Sequence, residues 1–409
     1  MTSVAEPHRY YDVHGLVSID IRGPNTPLCQ VLDRSLAPFR ADGDNADFSF
    51  NLGSLPSREW EPSGSTVGDR MLYDPIGKQT TVFNREMGTV LKRSEVQYVI
   101  SGEPRMGSLP VDVSVPYNPR NVSRLRQAAF ETSKLEGRRA LLAIAGDPIF
   151  KEERTELDAE GILQTLLEPF LYYRLVTREC TLVHGSGLSF DGSGLLIVGL
   201  ASVGKTSLAL QLVKEGYVYY GDDLPIVSKT GDLLSNPKPI KLRPQHIALF
   251  PELVNSLTRK MNRMERLLLT RQVRKHEYAF TRRLPRLSLG DIFEGAKLGV
   301  RAPLRNVIFL KRVAEKEFFV DELDRESLIN GVGADLFFQF PCAPWRHTMY
   351  YFCPSVALGN DFMAEEDAHH RRIKEILDGA FSKARIIRLN APMGYTSEEL
   401  EKQILKSLS

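Results

Sequence analysis

The stretch Leu195 to Pro225, LLIVGLASVGKTSLALQLVKEGYVYYGDDLP, constrains this chain more than any other. Within it, Gly199-Leu-Ala-Ser-Val-Gly204-Lys205-Thr206 fits G-x-x-x-x-G-K-[ST], the pattern of a phosphate-cradling P-loop. The pattern carries weight only between a strand and a helix, and the flanking residues supply both. Leu195, Leu196, Ile197 and Val198 form an apolar run of the buried-strand type, and Ser207-Leu-Ala-Leu-Gln-Leu-Val-Lys reads as a helix. Glycines let such a loop curl so that its backbone N–H groups point at a polyphosphate, and the helix start adds its positive end. The expected nucleotide-binding residues are Gly199, Ala201, Ser202, Val203, Gly204, Lys205, Thr206 and Ser207. Lys205 would reach the β- and γ-phosphates and Thr206 would place its hydroxyl on Mg²⁺.

A loop of this kind needs an acidic partner for its metal. Gly216 is a natural stop for the helix, and Tyr217-Val-Tyr-Tyr220 reads as the next strand. Ten helical residues carry the chain away by about 15 Å and a strand of about five returns it by roughly 16 Å. Asp222 and Asp223 are therefore expected on the phosphate side, one as a Mg²⁺ ligand and the other as a general base for an attacking hydroxyl. The competing reading is a capping or turn pair of carboxylates. Upstream, Thr181 to Phe190 and the run from Leu195 are separated by Asp191-Gly-Ser-Gly194, which is hairpin chemistry. Pairing about the middle of that turn sets His184 opposite roughly Ala201, either as a packing residue or as a group beside the phosphates.

His184-Gly185, the loop ending Gly204-Lys205-Thr206, and Gly221-Asp222-Asp223 together resemble the catalytic core of the HPr kinase family, which is similar in architecture to the ATP-dependent phosphoenolpyruvate carboxykinases. The resemblance implies an α/β fold with a P-loop core on a mixed sheet, and ATP- and Mg²⁺-dependent phosphorylation of a hydroxyl. It implies Asp222 as catalytic acid/base, Asp223 and Thr206 as metal-associated, and His184 and Lys205 as active-site groups. It runs from His184 to Asp223. In place of the family's glutamate-containing E-I-R-G-L-G-I-I-D segment this chain carries Asn236-Pro-Lys-Pro-Ile-Lys-Leu-Arg-Pro244. The whole is similar to the looser set of HPr kinase-like proteins, some of which phosphorylate a Ser in a ribosomally made peptide.

A length of 409 residues is ample for two or three domains. The balance of 53 basic against 51 acidic residues gives no global pull towards nucleic acid or membrane. Cys29, Cys180, Cys342 and Cys353 show no C-x-x-C spacing, which suits reduced thiols. No apolar run approaches 18 residues and the N-terminal residues lack a secretory apolar region, so a cytoplasmic location is expected.

Residues 1–150 are expected to form a β-rich domain for substrate docking or oligomer contact. Tyr10–Ile21, Asp47–Leu52, Thr80–Phe83, Val96–Ile100 and Val111–Val115 are rich in β-formers and punctuated by Gly, Pro, Ser and Asn. Residues 151–409 are the expected kinase domain. It opens with an amphipathic helix from Ile162 to Leu175, kinked or broken at Pro169. Lys241 and Arg243 are candidates for phosphate contacts or for a solvated surface. Arg259 to Arg286 is densely basic and includes Arg282 and Arg283. It reads either as a solvated face or as a flap closing on ATP or an acidic substrate. Its sparse aromatic residues disfavour nucleic-acid binding. His369-His370 with Glu365, Glu366 and Asp367 reads as a solvated helix face rather than a metal site, since adjacent helical residues point in different directions.

Two other classes compete. A GTPase needs a guanine-reading N/T-K-x-D, for which Lys229-Thr-Gly-Asp232 is a loose echo. A regulatory nucleotide-binding protein would keep Lys205 and Thr206 without needing Asp222 near a hydroxyl. Two carboxylates with His184 favour an enzyme; the resemblance implies a Ser of a small protein or peptide as its acceptor, with a small-molecule alcohol as the alternative. A homo-oligomer stays open.

Overall fold

The computed structural model describes residues 8–23, 25, 27–52, 70–74, 79–84, 88–93, 96–101, 111–115, 163, 167–201, 203–240, 242, 246, 250, 253, 287–339, 361–395 and 397–408. The fold is mixed α/β with two mixed sheets. The chain divides into two units, Met1–Arg178 with Phe337–His369, and Glu179–Leu336 with His370–Ser409.

In the first unit, strands β1 (His8–Val13) and β2 (Val17–Arg22) form a hairpin. Helix α1 (Pro27–Leu36), β3 (Arg40–Ala41) and β4 (Phe48–Leu52) follow. Next come β5 (Arg70–Asp74), β6 (Gln79–Asn84), β7 (Gly88–Arg93), β8 (Val96–Ser101) and β9 (Val111–Val115). The sheet order is β3-β1-β2-β4-β9-β8-β7-β6-β5, with β2, β4 and β9 parallel and the other pairs antiparallel. The β-formers named from sequence lie on β1, β2, β4, β6, β8 and β9. Strands β5 and β7, with few β-branched residues, were not legible, because their pairing partners rather than their own composition hold them extended. Tyr11, Val13, Ile19, Ile21, Phe48 and Phe50 alternate along their strands on one buried apolar face, and Asp20 and Ser49 between them are buried as well. Helix α2 (Glu168–Val176) packs there through Phe170, whose ring centroid is 4.5 Å from that of Phe48. Pro169 stands in the first turn of α2, where its missing N–H costs nothing, so the break expected at Pro169 falls at the start of this helix; residues 164–166 lie outside the described residues.

The second unit contains β10 (Cys180–Leu182), β11 (Gly185–Phe190), β12 (Ser193–Val198), α3 (Lys205–Lys214), β13 (Val218–Asp223), β14 (Ile226–Ser228) and β15 (Asp232–Leu234). After the short α4 (Leu289–Ile292) come β16 (Arg301–Val313) and β17 (Phe319–Glu322). Helices α5 (Arg325–Gln339) and α6 (Phe362–Phe381), of which the end of α5 from Phe337 and α6 up to His369 fall in the first unit, strand β18 (Arg385–Pro392) and helix α7 (Ser397–Leu408) complete the described chain. Strand β16 is the spine: β12 and β18 run parallel to it on either side, and β15 pairs antiparallel with its start.

Alternation sorts β12 onto two faces. Leu195 and Ile197 join a core with Leu208 and Leu212 of α3, Ile308 and Leu310 of β16, and Leu400 and Ile404 of α7. Each such buried aliphatic side chain contributes about 1.5–3 kcal/mol. Phe309 takes the other face of β16, where a Cβ on Gly331 of α5 would lie 3.9 Å from its ring. Leu328, Val332 and Leu336, four residues apart, form the buried stripe of α5. Lys229-Thr-Gly-Asp232 is the turn joining β14 to β15. Its Asp232 accepts hydrogen bonds from Thr230 (2.8 Å) and Arg301 (2.6 Å), so the turn is held by its own structure.

Candidate phosphate site at the ends of β12 and β13

Strand β11 pairs antiparallel with β12 on one side and β13 on the other, so β12 and β13 run in the same direction. This brings three sequence-distant pieces to one end of the sheet: the start of β11, the loop leaving β12 and the end of β13. Gly185 is opposite both Val198 and Asp223, and Ser186 is opposite Asp222. The hairpin turn is tighter than the expected four residues. Phe190 pairs with Ser193 around Asp191-Gly192, both at positive φ (46° and 74°), the conformation of a two-residue turn that follows the twist of the strands. The register expected from sequence therefore shifts by two residues, and His184 stands before the Gly185–Val198 pair, level with Gly199 rather than Ala201.

The loop from Gly199 to Gly204 is tightly fitted. Gly199 has φ +147°, and a Cβ there would come within 2.3 Å of the Leu310 carbonyl oxygen. Gly204 has φ +107°, and its Cβ would stand 2.6 Å from the Tyr395 hydroxyl. That hydroxyl donates to the Val203 carbonyl, while Arg312 lies over the Tyr395 ring, 5.4 Å from its centroid. Gly204 is the N-cap of α3 and, among the described residues, no side-chain cap hydrogen bond is made there, which leaves the first-turn N–H groups without a capping side chain. Lys205 is buried and its Nζ donates to the carbonyls of Gly199 (2.6 Å) and Leu200 (3.1 Å). Ala201 is exposed, Val203 and Ser207 are buried, and Thr206 is half-buried.

At the far end of α3, Gly216 N–H bonds the Val213 carbonyl and Tyr217 N–H bonds that of Leu212, a Schellman closure that turns the chain into β13. The strand runs through both acids instead of stopping at Tyr220. Thr206 Oγ1 donates to Asp222 Oδ2 at 2.7 Å and Ser186 Oγ donates to Asp222 Oδ1 at 2.5 Å. Burial pushes the Asp222 carboxyl above its ordinary range and the neighbouring Asp223 charge adds to this, while the two hydroxyl hydrogen bonds and Lys205 hold it down. Asp223 is the outward member of the pair, with its side chain 62% exposed and its backbone at φ +81°. Its Oδ1 lies 3.7 Å from His184 Nε2, and the other ring nitrogen, Nδ1, is 2.5 Å from Asp335 Oδ2.

The structure thus gathers Gly199, Val203, Gly204, Lys205, Thr206, Asp222, Asp223 and His184 at one end of the sheet. Two of the gathered side chains were not expected from sequence. Ser186 could have been noticed as the residue two after His184, inside the strand that His184 precedes. Asp335 carries no sequence signal, being 151 residues from its partner. Ser202, Lys241, Arg243, Arg282 and Arg283, with the basic segment from Arg259 to Arg286, lie outside the described residues. The expectation of a solvated face at Glu365–His370 is corrected. Glu366 and His369 are buried, the Tyr173 hydroxyl donates to Glu366, and the His369 ring packs against Tyr172 and Tyr173 with centroids 4.7 Å away. Aromatic residues from α2 cover that face of α6, which its charge-rich sequence does not announce.

No family model matches this chain. Three curated HPr kinase/phosphorylases match it locally. That of Mycoplasmopsis pulmonis is 46% identical over 50 residues, covering 12% of this chain and 16% of the relative. That of Lachnoclostridium phytofermentans is 30% identical over 87 residues, covering 21% and 26%. That of an Exiguobacterium species is 42% identical over 115 residues, covering 25% and 36%. The matches thus span 16% to 36% of the relatives' lengths and support a distant HPr kinase-like relationship. No helix among the described residues is long and apolar enough to cross a membrane.

Proposed function

We propose that this chain is a cytoplasmic, ATP- and Mg²⁺-dependent kinase that transfers the γ-phosphoryl group to a hydroxyl, with a Ser of a small protein or peptide as acceptor. The observation that carries this reading is the Thr206–Asp222–Ser186 hydrogen-bonded set beside an uncapped helix start, with Asp223 and His184 next to it. The donor set suits the group it would hold: a hydroxyl and carboxylates are the hard oxygen ligands Mg²⁺ takes, and open N–H groups suit phosphates.

Phosphoryl transfer is mostly positioning and charge neutralisation. On this reading the Gly199–Gly204 backbone cradles the β- and γ-phosphates and Lys205 leaves its carbonyl partners to meet them. Thr206 and Asp223 would hold Mg²⁺, which supplies positive charge to the phosphate oxygens. Asp222, whose carboxyl is raised above its ordinary range by burial, takes the proton of the acceptor hydroxyl. The name of the relatives, HPr kinase/phosphorylase, favours a protein acceptor. Residues 1–150 are assigned to acceptor docking or oligomer contact, and residues 151–409 to a P-loop kinase core of HPr kinase-like and phosphoenolpyruvate carboxykinase-like architecture.

The test is transfer of radiolabel from γ-labelled ATP by wild type and Asp222→Asn, with a lysate separated into protein, peptide and small-molecule fractions. Label on a peptide or protein, lost in the variant, is the expected result. Label confined to a small metabolite would replace the acceptor class. Tight ATP binding with no label in any fraction would make this a regulatory nucleotide-binding protein.

A further inference from the structure

His184 is placed by more than the strand it precedes. Its side chain is 12% exposed and sits between two carboxylates, Asp335 on Nδ1 at 2.5 Å and Asp223 on Nε2 at 3.7 Å. The contacts are unequal. The first is a full hydrogen bond, whereas the second is beyond hydrogen-bond distance. Asp335 comes from α5, where the buried stripe of Leu328, Val332 and Leu336 sets the rotation of the helix. That packing delivers Asp335, one residue before Leu336, to the start of β11.

Since an ionised carboxylate only accepts hydrogen bonds, its partner nitrogen must carry the proton. We infer that Asp335 is the positioning residue of His184: it takes the Nδ1–H hydrogen bond, fixes the ring plane, and presents Nε2 to the phosphate end of the sheet beside Asp223. This inference rests on the kinase reading of that end, and assigns Asp335 to the chemistry without any contact to substrate. In the neutral ring the proton sits on Nδ1 and the Nε2 lone pair is turned to the phosphate end of the sheet, with Asp223 Oδ1 3.7 Å away. The arrangement is that of a histidine oriented by a carboxylate behind it, in which the carboxylate sets tautomer and direction while the imidazole meets the reacting groups. Without it the ring could turn or exchange tautomer, and the Nε2 side would present an N–H in place of a lone pair.

The experiment uses the full chain with ¹⁵N-labelled histidine, the His184 resonances being assigned by their absence in His184→Gln. Long-range proton–nitrogen correlation spectra then read the tautomer of the neutral ring in wild type and in Asp335→Asn. The expected result is Nδ1–H in wild type and a shift of population to Nε2–H in Asp335→Asn. Turnover should fall about 100-fold or more, the KM for ATP changing less than about 3-fold. A wild-type ring protonated on Nε2 overturns the inference before any variant is made. So does an Asp335→Asn protein whose tautomer and turnover match wild type. Thermal midpoints of the two proteins separate misfolding from mispositioning. If wild type transfers no phosphate while the tautomer still switches in Asp335→Asn, the kinase reading fails alone and the positioning of His184 by Asp335 stands.

Discussion

Replacing Gly204 by Ala puts a methyl group where the Tyr395 hydroxyl now stands, and the structure says how much that should cost. The added Cβ would be 2.6 Å from the hydroxyl oxygen and 3.7 Å from Cζ of the same ring. The second distance is ordinary contact, so the clash belongs to the hydroxyl alone. Holding a non-glycine residue at φ +107° costs about 1–2 kcal/mol. Swinging Tyr395 away breaks its hydrogen bond to the Val203 carbonyl, about 0.5–1.5 kcal/mol more, for a total near 2–3 kcal/mol. Tyr395→Phe loses the same hydrogen bond but leaves the ring against Phe318 and under Arg312, at about 1 kcal/mol. In the double variant the bond is lost once and the clash is absent. Its cost should therefore fall short of the sum of the single costs by about 1 kcal/mol, a coupling of the size neighbouring residues show. Urea unfolding of the four proteins without nucleotide measures it. A 1 kcal/mol effect should also move the melting midpoint by about 2–4 °C, as expected for a folding unit of 150–250 residues. Additivity within about 0.3 kcal/mol would refute the reasoning, because it would mean Tyr395 does not close on the loop at Gly204.

Two further predictions concern buried carboxyls and share a sign. A carboxyl whose folded-state pKa is raised stabilises least when ionised, so stability is lost as pH rises from its unfolded value through its folded one. Asp222 is such a group, and Asp222→Asn should raise the melting midpoint relative to wild type at pH 8. The advantage should shrink towards zero below pH about 4, where the unfolded carboxyl is protonated as well. An equal midpoint difference at both pH values would contradict the burial argument. Glu366 is pushed by burial from an ordinary 4.5 to about 7, against the hydrogen bond from Tyr173. That corresponds to roughly 3 kcal/mol of unfolding free energy lost between pH about 4.5 and 8, which Glu366→Gln should largely abolish in urea titrations across that range. An unchanged pH slope in the variant would place the ionisation elsewhere.

Much of the candidate site was legible because its parts are local. Gly199, Gly204, Lys205 and Thr206 fall in one loop between a strand and a helix, and the lengths of that helix and the following strand return Asp222 and Asp223 to the loop. These are consequences of rise per residue, which any chain obeys. The hairpin was legible as a hairpin, but its register was not. A two-residue and a four-residue turn both suit Asp191-Gly-Ser-Gly194, and only the twist and pairing of β11 with two neighbours selects the tighter one. In the β-rich unit, strands with strong β-formers were named, whereas β5 and β7, extended by their partners, were not.

The sequence by itself determined the strand–loop–helix at Gly199–Thr206, the return of the acidic pair, and the presence of a histidine nearby, because each depends on short-range geometry and residue type. Tertiary structure alone decided which hydroxyls hold Asp222, that Asp223 faces outward, that Tyr395 closes on the loop, and that Asp335 stands behind His184. Those contacts join residues up to 192 positions apart. They exist because β11 pairs with β13, because β16 pairs with β12 and β18 at once, and because α5 is rotated by its own buried stripe, and no local pattern encodes these facts. Burial follows the same rule. The charges of Glu366 and Asp222 read as solvated or catalytic from sequence, but the neighbours packed against them set how strongly each carboxyl holds its proton.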